Sequence, residues 1–160
     1  MGRTVVQPIQ GGEGVNVRAV LILTTALAGL GVKSEPAKTY TDEDLYVLSH
    51  IVSAEAGNCG TEMLTAVGSV VLNRVADERF PNTIEEVVFQ TDPSVQYAPT
   101  VNGTYWNEPT EDALTVAKML LEEGSQLPAD VIYQSNEIIG EYYTHIDPPL
   151  GIGSRMYFCK

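Results

Sequence analysis

Residues 61–75 constrain the fold of this chain more than any other stretch. Thr61-Glu62 opens a helix whose middle, Ala66-Val67-Gly68-Ser69-Val70-Val71-Leu72, is nearly all apolar. A helix with so much apolar circumference has to be covered by neighbours, and its small residues let a neighbour come close. The expected neighbour is the helix just before it. Thr41-Asp42-Glu43-Asp44 reads as a helix start, a Thr cap followed by carboxylates at the positive end of the macrodipole. Leu45, Leu48 and Val52 follow at spacings of three and four, which puts them on one face, and Gly57 reads as the C-terminal stop.

Glu55 breaks that pattern. It falls three residues after Val52, on the same core-facing stripe, inside Ser53-Ala54-Glu55-Ala56-Gly57-Asn58. A carboxylate there must be paired, protonated or at work. Apolar neighbours and the negative end of the helix dipole both raise its pKa, from about 4.3 toward the roughly 6 to 7 that suits an acid at neutral pH. The plainer reading is a Glu at the rim of the core, bonded to Arg74 or Arg155. Spacing alone leaves both open.

At 160 residues, 44% hydrophobic and 19% charged, the chain suits a globular protein with one domain of ordinary size. Charge is uneven. Residues 41–160 hold five basic residues against nineteen acidic ones, a balance of −14. Such a body repels phosphate backbones, so no nucleic-acid partner is expected, and it is not drawn to anionic membranes or acidic wall polymers. Cys59 and Cys159 belong to no metal-binding spacing, and His50 and His145 are isolated, so neither a metal nor any other cofactor is expected. In an exported chain the two thiols could pair and close a loop worth about 4 to 5 kcal/mol; otherwise they are buried or free.

Residues 1–40 read as a leader. An apolar run over residues 19–31 follows Arg18, is short for a membrane span, and contains the small-x-small triplet Ala26-Leu27-Ala28 of a signal-peptidase site. It reads as a signal-peptide-like or anchor segment, the only expected link to a membrane, with residues 33–40 as a linker. The folded body is 41–160. Within it, Thr83 caps a short helix from Ile84 to about Phe89. Residues 91–109 form a long loop bearing Tyr97, Tyr105 and Trp106, and Thr110 caps a helix to Glu123 with Leu114, Ala117, Leu120 and Leu121 as its stripe. Beyond Pro128, Val131-Ile132-Tyr133, Tyr142-Tyr143-Thr144 and Arg155-Met156-Tyr157-Phe158 are strand-like. Helices first and strands last predict a compact α+β domain.

Ala54-Glu55-Ala56, the run from Ala66 to Asn73-Arg74-Val75, Phe80-Pro81-Asn82-Thr83-Ile84 and Val88-Phe89-Gln90, taken together, resemble the spore cortex-lytic cell wall hydrolases of the SleB/CwlJ type. Weaker echoes continue at Gln96-Tyr97, from Tyr133 to Asn136 and at Ile152-Gly153, so the resemblance spans roughly residues 42–159. This chain departs from the family pattern at Asn58-Cys59, where Gly-Glu is common, and at Arg155, where a His is usual. The resemblance implies a lysozyme-like α+β fold, a helical N-terminal part with a small antiparallel sheet toward the C-terminus, acting on the glycan strands of peptidoglycan. It implies Glu55 as catalytic acid and a secreted, cell-envelope or spore-associated location, with a phage-borne lysin as the other setting. With one credible carboxylate the expected chemistry is that of a lytic transglycosylase. A two-carboxylate muramidase would recruit Glu62, Asp92 or Asp147, and an inactive peptidoglycan-binding envelope protein would keep only the groove. Gln96, Tyr97 and Asn136 are expected to line the groove by hydrogen bonding, and Tyr97, Tyr105, Trp106 or Tyr133 to stack on sugar rings.

Overall fold

The chain divides into two units, residues 1–37 and 38–160, and the computed structural model describes residues 38–160. The signal-like run of the leader lies outside the described residues. The first helix, α1, spans Asp42–Ala56 and starts as its sequence dictates. Thr41 Oγ1 accepts from the Asp44 N–H at 3.0 Å while the Asp44 carboxylate accepts from the Thr41 N–H at 2.9 Å, a closed capping box. Gly57 ends α1, though not in the left-handed conformation expected of a terminal glycine: its φ is −52° and its N–H bonds to the Ser53 carbonyl at 2.8 Å. Glycine is needed there for a steric reason, because a Cβ would lie 2.6 Å from that same carbonyl oxygen.

The apolar helix α2 spans Thr61–Ala76 and is buried along most of its middle, from Met63 to Val71. Its N-cap is Gly60 at φ 87°, with no side-chain capping bond, so the cap expected of Thr61 is not made. Thr83 caps the short α3, Ile84–Val88, and Thr110 caps α5, Glu111–Glu123. On α5 the buried face is Ala113, Val116, Ala117 and Leu120; Leu114 faces outward, so the expected stripe is turned slightly about the helix axis. The helices α1, α2 and α5 pack on one another around Gly68. A Cβ on Gly68 would run into Leu120 of α5 and come within 3.2 Å of a Val52 methyl on α1.

The 91–109 connection is more structured than its composition suggests. It carries a short helix α4, Pro99–Asn102, and a 3-10 turn, Thr104–Trp106. Its two tyrosines, Tyr97 and Tyr105, are each only 1% exposed and bolt the segment to the core. The C-terminal part forms three antiparallel strands, β1 (Tyr133–Ser135), β2 (Tyr142–Ile146) and β3 (Met156–Cys159), in the order β1-β3-β2. Gln134 pairs with Phe158 and Thr144 with Phe158 from the other side, and the Phe158 ring is buried in the helical core.

Polar side chains on α1 and α2, the half-buried Ser53 and the buried Ser69, Asn73, Arg74 and His50, hold these connections in place. Ser53 Oγ accepts from the Thr110 N–H at 3.0 Å and Ser69 Oγ from the Gln126 N–H at 3.0 Å. Asn73 Nδ2 donates to the Pro128 and Val131 carbonyls at 2.8 and 2.9 Å, and Arg74 Nε to the Ile132 carbonyl at 2.8 Å. His50 Nδ1 sits 2.9 Å from the Tyr105 carbonyl. Each bond satisfies a buried or half-buried polar group and fixes a distant segment of backbone at once.

Candidate functional site

The last turn of α1 delivers Glu55 to the wall of a cavity of about 370 Å³. Ser53, Asn58 and Cys59 from the same end of α1 line it, together with Thr104 and Asn107 from the aromatic-bearing connection, Thr110 from the N-cap of α5 and Ile152 from the β2–β3 loop. Asn58 and Asn107 contribute amides and Ser53, Thr104 and Thr110 hydroxyls, among apolar Ala54, Ala56 and Ile152, and Glu55 is the one carboxylate of the lining. The side chain is half-buried. Desolvation pushes its pKa up to about 7, against an opposing pull from the Arg74 guanidinium and from Gln134. Gln134 Nε2 approaches Glu55 Oε2 at 3.5 Å, a long contact.

Behind Glu55 stand two buried polar groups. The Arg74 guanidinium lies between two rings, its carbon 5.2 Å from the Phe80 centroid and 5.3 Å from that of Tyr97. Its Nε is used by the Ile132 carbonyl, but its Nη1 is buried without a hydrogen-bond partner. The Tyr97 hydroxyl is likewise buried and makes no bond of full hydrogen-bond geometry, although the Arg74 guanidinium is near enough to interact with it. Burial pushes the Tyr97 pKa up to about 12, with the nearby Glu55 charge adding to the effect and Arg74 opposing it. Glu55 itself takes part in none of the ion pairs among the described residues.

The family model described as Cell Wall Hydrolase matches residues 60–146, more than half of the chain. This chain belongs to the cell wall hydrolase family. Glu55 precedes the matched stretch, whereas Arg74, Tyr97 and Gln134 fall within it. Two solved structures are similar in fold. The catalytic domain of the germination-specific lytic transglycosylase SleB from Bacillus anthracis superposes with a TM-score of 0.63 at 21% identity, covering 79% of this chain and 100% of that one. The catalytic domain of the Bacillus cereus SleB protein gives 0.58 at 22% identity, covering 81% of this chain and 99% of that one. No curated protein sequence matches the chain significantly. The lysozyme-like arrangement expected from sequence, helices followed by a small antiparallel sheet, is the fold observed.

Within this family member the expected site residues land in different places. Tyr97 and Tyr105 cannot stack on a sugar, because rings 1% exposed have no face to offer; each anchors its segment in the core instead. Trp106, at 63% exposed, does present a ring. Gln96 is half-buried and its side-chain amide turns back to Ser94, 3.0 Å from the carbonyl. Asn136 is exposed just past β1. Tyr133 opens β1 opposite Cys159, and side chains alternate along a strand, so the neighbour that meets Glu55 is Gln134. Period-two alternation within Tyr133–Asn136 was the sequence signal that separates the two.

Of the two arginines that the plainer reading offered Glu55, Arg155 is taken by Asp147, its Nη2 2.9 Å from Oδ2. Arg74 is near Glu55 without bonding to it. The candidate second carboxylates are elsewhere too. Glu62 lines another cavity beside Gln126 and Tyr143, Asp92 borders an open groove with Phe80 and Phe89, and Asp147 holds Arg155. Cys59 is half-buried and Cys159 buried, and no disulfide joins them in this structure.

Proposed function

We propose that this chain cleaves the glycan strands of peptidoglycan, with Glu55 acting first as acid and then as base. The observation that carries this reading is a single carboxyl group, lining a cavity that also presents amides and hydroxyls, whose proton affinity burial has moved to about neutrality. A group titrating near 7 is close to half protonated at neutral pH, which suits it both to give and to take a proton. The fold shared with two SleB catalytic domains, one described as a lytic transglycosylase, supports the same reading.

In the proposed reaction Glu55 protonates the glycosidic oxygen as the bond to the anomeric carbon breaks. The resulting carboxylate then removes the proton from the 6-hydroxyl of the same muramic acid, and that oxygen closes on the anomeric carbon. The products are a new chain end and a 1,6-anhydro ring, with Glu55 reprotonated. The intramolecular hydroxyl replaces the water that a second carboxylate would otherwise activate. No candidate for that second group lines the cavity. Asn58, Thr104 and Asn107 would hold sugar hydroxyls, and Trp106 would offer a ring at the rim. The reading places the protein outside the cytoplasm, in the envelope or spore, with residues 1–40 as its leader.

Glu55→Gln is the test. Removing the proton donor should cut turnover on purified sacculi by a factor of at least about a hundred, while circular dichroism stays that of the parent. Mass spectrometry of the parent's products should show anhydro-muramic ends; reducing, hydrated ends alone would defeat the transglycosylase reading. Activity should decline as pH rises through about 7, since the acid must be protonated to act.

A further inference from the structure

Three of the four buried side-chain polar atoms without a partner among the described residues, Arg74 Nη1, the Tyr97 hydroxyl and Gln134 Oε1, belong to side chains that interact with Glu55, Gln134 at 3.5 Å and the other two electrostatically. Orphans scattered through a core would be accidents of packing. Orphans gathered round one carboxyl group call for a reason.

Two of the three can donate a hydrogen bond, and both are built in rigidly. Arg74 is held by the Ile132 carbonyl through Nε and by the faces of Phe80 and Tyr97, so its free Nη1 has a fixed position. A guanidinium cannot shed its proton, so the charge stays. Tyr97 is fully buried and keeps its hydroxyl proton at any working pH. A buried cation without a carboxylate bonded to it is costly unless an anion becomes available. The carboxyl that acts on both groups is Glu55, and the cycle proposed above makes Glu55 an anion once per turnover.

We propose that Arg74 and Tyr97 form a positioning pair whose free donors receive the Glu55 carboxylate at the moment it has given up its proton. This inference rests on the proposed role of Glu55. Neither group lines the cavity. Their work is electrostatic: donors fixed in advance where negative charge develops. Gln134 from β1 already reaches the carboxylate at 3.5 Å, and Cys59 lines the same cavity as Glu55. Arg74 also has a structural task in holding the start of β1, but that task belongs to Nε alone and leaves Nη1 unused.

The test follows the Glu55 carboxyl itself by ¹³C NMR, assigned by the signal missing from Glu55→Gln, in the parent, Tyr97→Phe, Arg74→Lys and Arg74→Met. Loss of either donor should move the Glu55 titration midpoint upward and lower kcat about tenfold with KM within twofold of the parent. Arg74→Lys, which keeps the charge, should recover part of what Arg74→Met loses. Tyr97→Phe removes one oxygen and preserves the ring under Arg74, so it reads the inference even if Arg74→Met fails to fold. An unchanged midpoint in both Tyr97→Phe and Arg74→Lys overturns the pair. The titration needs no turnover: a fully active Glu55→Gln would sink the proposed function while leaving the coupling of Arg74, Tyr97 and Glu55 measurable.

Discussion

At the scale of the residue, Glu55 trades stability for reactivity. Its carboxyl keeps a proton to about pH 7 in the folded chain but gives it up near 4.5 when unfolded. Between those values the folded state binds more protons than the unfolded state, so stability falls as pH rises and the loss is complete above 7. The shift corresponds to about 3 kcal/mol at most. Glu55→Gln never ionises and escapes this loss. Urea unfolding should therefore show the variant gaining on the parent between pH 5 and pH 8, whereas a Glu held in a structural ion pair would make the variant weaker at the higher pH. The placement of Glu55 was legible because the helix period assigns a face to each residue, and the stripe of Leu48 and Val52 reaches it. Its neighbours were legible only in part: Arg74 was one of two arginines offered to it, Tyr97 was expected in the groove rather than behind it, and Gln134 was not singled out. Arg74, Tyr97 and Gln134 come from a helix, a loop and a strand, and only the tertiary fold brings them together. Tyr97 shows the difficulty most clearly. An aromatic residue in a polar loop has the same sequence context whether it anchors the loop or faces a ligand, and burial alone separates the two.

Among the elements, the helices announced themselves through their ends. Thr41, Thr83 and Thr110 each accept the expected backbone N–H, because a cap is a local bond decided within four residues. The sheet was less well placed. Val131-Ile132 reads as strand because it is apolar and β-branched, yet both residues are buried in the approach to β1, which starts only at Tyr133. Their backbone carbonyls are claimed by Asn73 and Arg74, a use that no local pattern encodes. The closeness of α1, α2 and α5 at Gly68 was anticipated in part from the small residues of α2. It carries a testable consequence. Gly68→Ala places a methyl group against Leu120 and Val52, and overpacking of this kind costs about 1 to 3 kcal/mol. The loss should appear as a lowered urea midpoint with an unchanged slope. Leu120→Ala on the same chain should return part of it by making room, and a double variant no better than the sum of the singles would show that the crowding lies elsewhere.

For the molecule as a whole, charge decides how the protein meets its substrate. Residues 41–160 carry nineteen acids and five bases, and every one of the five bases is paired or buried. Arg79, Lys118, Arg155 and Lys160 are in ion pairs with Asp77, Glu122, Asp147 and Asp130, and Arg74 is buried. The remaining acids present a negative surface to any anionic polymer. A cell wall with free carboxylates therefore repels this body at long range, and attraction is left to the local contacts of the cavity. Salt should reverse the usual trend for such a protein. Raising ionic strength from 0.01 M to 0.15 M shortens the screening length from about 30 Å to about 8 Å, which suppresses the distant repulsion and leaves contacts at hydrogen-bond range almost untouched. Binding to purified sacculi, read by co-sedimentation of Glu55→Gln so that nothing is cleaved, should strengthen over that range. A basic wall-lytic protein, drawn in by charge, would weaken under the same change. A bound fraction that falls with added salt would mean that cationic contacts govern capture, against the single-carboxylate, neutral-walled cavity on which the proposed function depends.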